Sequence, residues 1–353
     1  MYPRLEVDLK KILENSKFLS NQFKENNLKF MAVTKSFCAF EEISRVIVEG
    51  GAEFLADSRI ENLEKAKDLD AKTLLLRLPM QSEVEKVVKY ADYSLNSEIS
   101  TISKLSEISK KLGKVHNVIL MLDLGDLREG VLPVDVDATV ESILELDGVK
   151  LAGIGVNLTC YGGVIPDKNN LGQLADIANH IEEKYKLKLE IISGGNSSSL
   201  YLIDKKELPS KINSLRIGET LVLGRETAYG NIIEGMHTDA FKLAGEVIEV
   251  KKKGSSPIGE IGMDAFGNHP VFEDKGDIMR AIVAIGRQDV NPDGLSPLDS
   301  KIEILGASSD HLLLDITNSE TKYKVGDIIR FDVDYGALLS LSTSNYIKKE
   351  YMK

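Results

Sequence analysis

A chain of 353 residues that is 42% hydrophobic and 28% charged has an ordinary soluble composition and enough length for two domains with sizeable cores. Its net charge of −11 lacks the basic footprint that a nucleic-acid or anionic-membrane surface requires, so neither partner is expected. No apolar run is long enough to span a bilayer and the opening MYPRLEVDLKK lacks a signal-peptide core, while Cys38 and Cys160 make no metal spacing and no disulfide framework; a cytoplasmic location is expected, with both thiols as packing residues.

From residue 9 to about residue 228, short apolar runs alternate with segments whose apolar residues recur at i, i+3 and i+4, the order of successive parallel βα units. Strands are predicted at 29–34, 52–56, 73–77, 92–95, 117–123, 150–156, 188–193 and 213–217. Ser58 with Glu61 and Ser82 with Glu85 fit capping boxes at two helix starts, and Gly50 with Gly51 suits the end of the helix that follows Lys35. Eight right-handed βα units close most economically into a (β/α)8 TIM barrel, whose chemistry gathers at the C-terminal ends of its strands. After Tyr229 the texture changes. KLAGEVIEV, IMRAIVAIGR, KIEILGASSDHLLLDIT and KVGDIIRFDV are alternating strands between GSSP, NPDG and NSET turns, so residues 229–353 are expected to form a mostly-β domain.

The strand ends form a polar series: Lys35; Asp57 and Ser58; Arg77; Asn96 and Ser97; Asp123 with Arg128 beyond it; Asn157 and Thr159; Ser193-Gly194-Gly195-Asn196-Ser197; and Arg216 before Gly218. Singly, each is explained by a turn or a cap, and Lys35 by a solvated lysine closing a strand. Jointly they set one lysine, three arginines and a Gly/Ser-rich loop around one barrel mouth. In SGGNSSSLYLI the small residues and hydroxyls lead into a helical pattern, so backbone N–H groups and serines can converge on an anion, and Gly218 in LRIGETLVLG would let the backbone approach it. Phosphate sites after strands seven and eight recur in this fold. A lysine across the mouth from such a cradle suggests pyridoxal 5'-phosphate held as a Schiff base.

The opening LEVDLKKILENSKFL, the lysine in AVTKSF, the SGGNSS and LRIG loops and the ending DYGALLSLSTS resemble the alanine racemase family, pyridoxal-phosphate enzymes of fold type III. AVTKSFCAFEEI, LGDLREG and GEIGMDAFG are similar to its ornithine racemase branch. The resemblance implies that residues 1–8 join the C-terminal sheet and that Lys35 is both the Schiff-base lysine and one of two catalytic bases. It implies phosphate contacts at Ser197, Ile217, Gly218 and Tyr335, with Ser193 and Asn196 nearby. It places Arg128 on the cofactor's phenolic oxygen and the substrate carboxylate, and Arg216 against the ring nitrogen. An arginine there keeps that nitrogen unprotonated, which weakens the electron sink and favours return of the Cα proton over transamination.

Two positions depart from the family pattern. The second base is ordinarily a tyrosine from the partner subunit, but here that turn reads PIGEIGMDAFG, with Glu260 or Ile261 at its place and Asp264 and His269 close by. Asn157 stands where a histidine stacks on the cofactor, with Cys160 and Tyr161 beside it. An acidic turn could instead pair the distal ammonium of ornithine, through Glu260 or Asp264. The expected function is therefore an ornithine racemase working as a homodimer on a small amino acid, each active site completed by the partner's C-terminal domain. The alternatives are an alanine or broad-specificity basic amino-acid racemase, a basic amino-acid decarboxylase, which would set an acidic residue where Arg216 stands, and a single-barrel pyridoxal-phosphate carrier.

Overall fold

The computed structural model describes residues 1–352, and the chain divides into two compact units. One is Leu9–Thr238; the other joins Met1–Asp8 to the residues from Asp239 onward. The division falls ten residues after the boundary expected at 228/229, because residues 229–238 are tied to the first unit. The Asn15 side chain donates to Leu221 O and His237 O (3.1 and 2.9 Å) and accepts from His237 N (2.8 Å). Glu226 likewise receives the amides of Ala228, Tyr229 and Asn231.

The first strand, β1 (Arg4–Asp8), belongs to the second unit. In the first unit, β2 (Lys29–Val33), β3 (Phe54–Asp57), β4 (Lys72–Leu75), β5 (Tyr93–Asn96), β6 (His116–Leu122), β7 (Val149–Val156), β8 (Ile191–Ser193) and β9 (Ser214–Ile217) form a closed parallel barrel. Closure is made where β2 pairs with β9, Lys29 opposite Ser214. The expected TIM barrel is thus borne out. Its strands are covered on both faces and read as continuous apolar runs such as KFMAV and VILML, as parallel strands must when helices wrap them. Met31, Phe54, Leu74, Tyr93, Met121 and Ile191 fill the interior. Gly153 is required by packing, since a Cβ there would stand 2.1 Å from the carbonyl oxygen of Ile191.

Helix ends differ from expectation in an instructive way. The helix after β3 starts at Ile60 with Arg59 as its N-cap and no side-chain cap, so Ser58 and Glu61 form no capping box. Asp57 instead turns back from the strand end to accept from Arg59 N (2.9 Å) and Asn62 Nδ2 (3.1 Å). Ser82 and Glu85 form none either; that helix starts at Val84 behind Glu83, whose carboxylate accepts from Met80 N. A true capping box sits at Asp167, which accepts from Asn169 and Asn170 amides while Asn170 Oδ1 receives Asp167 N, opening the helix Lys168–Tyr185. Of the two glycines after Glu49, Gly50 is the right-handed C-cap and Gly51 takes the left-handed φ of +102°.

In the second unit an eight-stranded sheet is organised around the long strand β10 (Phe241–Gly254), which pairs with β1, with β11 (Asp277–Val283) and with Ile328–Val333. Residues 1–8 contribute an integral strand, flanked on its other side by Lys348–Met352. Glu6, nearly fully buried on β1, is held between Arg4 (2.7 and 3.0 Å) and Arg330 (2.9 and 3.2 Å). The β10–β11 connection carries GEIGMDAFG. Among the described residues no helix is long and apolar enough to cross a membrane, and no group of metal-ligating side chains occurs.

Candidate active site

Lys35 lies one residue beyond the end of β2, after Thr34, and opens the single turn Lys35–Phe37, which Cys38 and Ala39 end with φ of 53° and 47°. Thr34 fixes this departure: its hydroxyl donates to Asp57 Oδ2 (2.7 Å), linking two adjacent strand ends. The half-buried Lys35 amine has no hydrogen-bond or ion-pair partner among the described residues. Burial pulls its pKa down; Cys160 and Asp57 oppose the shift, and Arg128 and Arg216 reinforce it. A neutral, and therefore nucleophilic, amine is favoured at such a place. Beside it opens a cavity of about 420 Å³ lined by Lys35, Ser58, Leu76, Arg77, Leu78, Arg128 and Glu129.

Arg216 projects from β9 and is 3% exposed. Its guanidinium donates to Val156 O (2.8 Å), Asn157 Oδ1 (3.3 Å) and, at short range, Ser193 Oγ. No carboxylate pairs with it directly, and burial pulls its pKa down to about 10, so it is still a cation at neutral pH. Three strand ends, β7, β8 and β9, thus converge on one buried positive charge.

The loop after β8 is braced by its own side chains. Gly195 has φ of +109°, where a larger residue would be strained and a Cβ would meet Ser199 Oγ at 2.9 Å. Asn196 Oδ1 receives Ser198 N (2.9 Å), and Asn196 Nδ2 donates to Leu158 O (2.9 Å) and Asn157 Oδ1 (3.2 Å). Ser197 Oγ receives the amides of Gly218 (3.3 Å) and Thr220 (3.4 Å), long contacts that converge on one oxygen. The buried Ser198 Oγ and Asn157 Nδ2 have no partner. One detail corrects the expectation. The helix following the serines spans only Tyr201–Asp204, so turns rather than a long helix present these amides. At Gly218 a Cβ would lie 3.3 Å from Val33 Cβ, a tight contact at the strand end.

Across the mouth, Arg128 is gripped by both carboxylate oxygens of Glu129 and donates through Nη1 to Cys160 Sγ at 2.6 Å. Cys160 is exposed and polar-bonded, not the packing residue expected; Cys38 is half-buried. The loops carrying Arg128 and Cys160 are locked together by Asp126, 1% exposed, which receives the amides of Tyr161 (2.9 Å), Val164 (3.1 Å) and Cys160 (3.5 Å). Sequence reasoning passed over both Asp126 and Glu129, although LGDLREG displayed them: adjacent opposite charges and an Asp among loop residues look like solvated surface. Other strand-end residues serve locally. Arg77 is paired with Glu83 (3.0 Å), Asn96 donates to Ser94, and Asp123 closes a turn on Gly125 and Leu127.

The structure therefore brings Lys35, Arg128, Asn157, Ser193, Asn196, Ser197, Arg216, Ile217 and Gly218 to the C-terminal end of one barrel. Tyr335 begins the helix Tyr335–Thr343 of the second unit. Glu260, Asp264 and His269 lie exposed on its β10–β11 connection. The Asp264 carboxylate closes its own turn on Phe266 N (2.9 Å) and Asn268 N (2.8 Å), and these bonds, led by Asn268, hold its pKa below the usual carboxylate range.

Residues 7–226 match the family model for the N-terminal domain of alanine racemase. Over its full length the chain is 53% identical to the ornithine racemase of Acetoanaerobium sticklandii, covering 100% of both proteins. It is 39% identical to the lysine racemase of Thermotoga maritima, covering 99% of each. Among solved structures, alanine racemase from Clostridium difficile superposes with a TM-score of 0.75 at 18% identity, covering 100% of this chain and 96% of the other. Alanine racemase from Bartonella henselae with covalently bound pyridoxal phosphate gives 0.74 at 18% identity with both chains covered completely. At these identities the structures speak to fold alone.

Proposed function

The chain belongs to the alanine racemase family, and from that premise we propose that it is a pyridoxal-phosphate-dependent racemase that interconverts L- and D-ornithine. The observation that carries the reaction class is Arg216, a buried cation bonded only to neutral acceptors at the barrel mouth. Full-length similarity to an ornithine racemase supports the substrate. A homodimer in the cytoplasm belongs to the same reading.

The residues present fit the cofactor. The partnerless Lys35 amine and the orphaned Ser198 Oγ and Asn157 Nδ2 are unspent polar capacity of the kinds a carbonyl, a phosphate and a ring use, and the Gly218 and Thr220 amides make only long bonds to Ser197 Oγ. Lys35 would hold it covalently, with Ser193, Asn196, Ser197, Ile217 and Gly218 around the phosphate and Arg128 and Asn157 beside the ring. Pyridoxal phosphate, when bound, supplies an electron sink that acidifies the substrate Cα–H. Arg216 neither yields a proton nor accepts one near neutrality, so a basic nitrogen held against it stays unprotonated. That withholds the deep electron sink a decarboxylase or transaminase exploits. Lys35 Nζ, its pKa lowered by burial, is fitted to take a proton from Cα on one face and return it. For the opposite face we propose Glu260 of the partner subunit, since its carboxylate, unlike that of Asp264, is not engaged in closing its own turn.

Incubating the purified enzyme with L-ornithine tests the reading. Optical rotation is expected to decay to zero without release of carbon dioxide, and Lys35→Ala to lose both this activity and the visible-edge absorbance of the bound cofactor. Stable rotation, or gas release, overturns it.

A further inference from the structure

The cavity beside Lys35 contains an ion pair whose two members both line the same space, Arg128 and Glu129. Their side chains differ in exposure, 39% for Arg128 and 13% for Glu129, so the carboxylate is the more enclosed of the two. Both of its oxygens are taken by the Arg128 guanidinium, and Glu129 has no other hydrogen-bond partner among the described residues. The remaining carboxylates nearby are committed elsewhere. Asp57 is bonded to Thr34, Arg59 and Asn62; Asp126 to three loop amides; Asp123 to its own turn. Glu83 holds Arg77. Glu129 is therefore the acidic group of the cavity that can be freed by displacing one partner.

We propose that Glu129 is the recognition group for the distal ammonium of a diamino acid, and that substrate binding exchanges the Arg128–Glu129 pair for two new ones. This rests on the reading of the chain as a racemase of basic amino acids. The substrate's carboxylate takes Arg128 and its side-chain ammonium takes Glu129, so both of these entering charges are paired, while the α-amino group is the one presented to the reacting centre beside Lys35. In the free protein the pair neutralises itself, which avoids an uncompensated enclosed carboxylate. Leu76 and Leu78 supply apolar wall for the methylenes between the two charges. A neutral side chain of the same length would draw Arg128 away and leave Glu129 unpaired in a partly closed space. Discrimination then comes from that stranded carboxylate, the device by which a polar site rejects an analogue lacking its partner group. The recognition element lies in the chain's own barrel, not in the acidic β10–β11 connection.

The experiment compares L-ornithine with L-norvaline, which has the same carbon chain without the distal amine, in wild type, Glu129→Gln and Glu129→Asp holoenzyme. The kcat/KM ratio of ornithine to norvaline is expected to fall at least about 50-fold in Glu129→Gln, chiefly through KM, and to recover in part in Glu129→Asp. The extra thermal stabilisation that ornithine gives over norvaline should vanish in parallel, a binding readout that does not depend on turnover. Equal losses on both substrates, or an unchanged ratio, overturn the proposal and reduce Glu129 to a brace for Arg128. Failure of the underlying function is distinguishable, because wild type would then leave ornithine unracemised before any variant is made.

Discussion

Burial without a counter-carboxylate sets Arg216 apart from the other two arginines of the barrel mouth, each of which is paired with a glutamate. Enclosing a cation is costly unless its hydrogen bonds are made, and Arg216 makes them to a carbonyl, an amide oxygen and a hydroxyl. The same economy of burial governs His116, 3% exposed on β6 and bonded to Ser94 Oγ at 2.8 Å. Burial pulls its pKa down to about 4, with Asp92 opposing and Lys114 reinforcing. An unfolded histidine takes a proton below pH of about 6.5, whereas the folded one refuses it until about 4. Its contribution is therefore fully present above pH 6.5 and is lost as pH falls through that window, on the order of 3 kcal/mol in all. Urea unfolding at pH 7 and pH 4.5 should show this loss in wild type, and His116→Gln should flatten the slope; an unaltered slope would refute the assignment.

At the scale of elements, the catalytic face depends on how loops are tied to one another, not on the strands alone. Asp126 joins the loop after β6, which carries Arg128 and Glu129, to the loop after β7, which carries Asn157 and Cys160. Gly162 permits the contact, since a Cβ there would stand 2.7 Å from Asp126 O. Asp126→Asn replaces an ionised acceptor of three amides by one oxygen and an NH₂ that has only donors to face. A loss of about 2–3 kcal/mol is expected from the weakened charge-assisted bonds. Because the tie positions Arg128, kcat/KM should fall by roughly tenfold or more even well below the melting temperature. Differential scanning calorimetry with steady-state kinetics checks both; a lowered Tm with unchanged kcat/KM would make the tie purely structural.

At the scale of the whole molecule, the β10–β11 connection displays Ile258, Met263, Phe266, Val271 and Phe272 to solvent around the acidic turn. Apolar side chains grouped on an exposed loop are the mark of a surface that meets another chain, and a second copy is the occupant that the proposed two-faced proton transfer requires. Light scattering is expected to give twice the chain mass. The pair Ile258→Glu and Val271→Glu should shift it toward the monomer and lower activity at least tenfold, with far-UV dichroism preserved. A dimer unaffected by both changes would place the interface elsewhere.

Much of this was legible in the sequence, for a physical reason. Apolar period and turn chemistry are local properties, so the eight strands, the switch to a β-rich second unit and the polar series at the strand ends could be read along the chain. Lys35, Arg216 and the glycine-serine loop were visible because they terminate strands whose direction the barrel imposes. What a polar side chain bonds to is not settled by residue pattern alone. Ser58 and Ser82 matched a capping pattern, yet neither helix has a side-chain cap, and the neighbouring Asp57 and Glu83 accept the amides of Arg59 and Met80. Glu129 resembled surface charge and became the enclosed partner of Arg128 once closure of the barrel set both beside Lys35. The sequence determined which elements form and which residues stand at the mouth; only the tertiary structure decided which of those charges are enclosed and which is left without a carboxylate, since the burial and contacts of Arg216 depend on strands far apart in the chain.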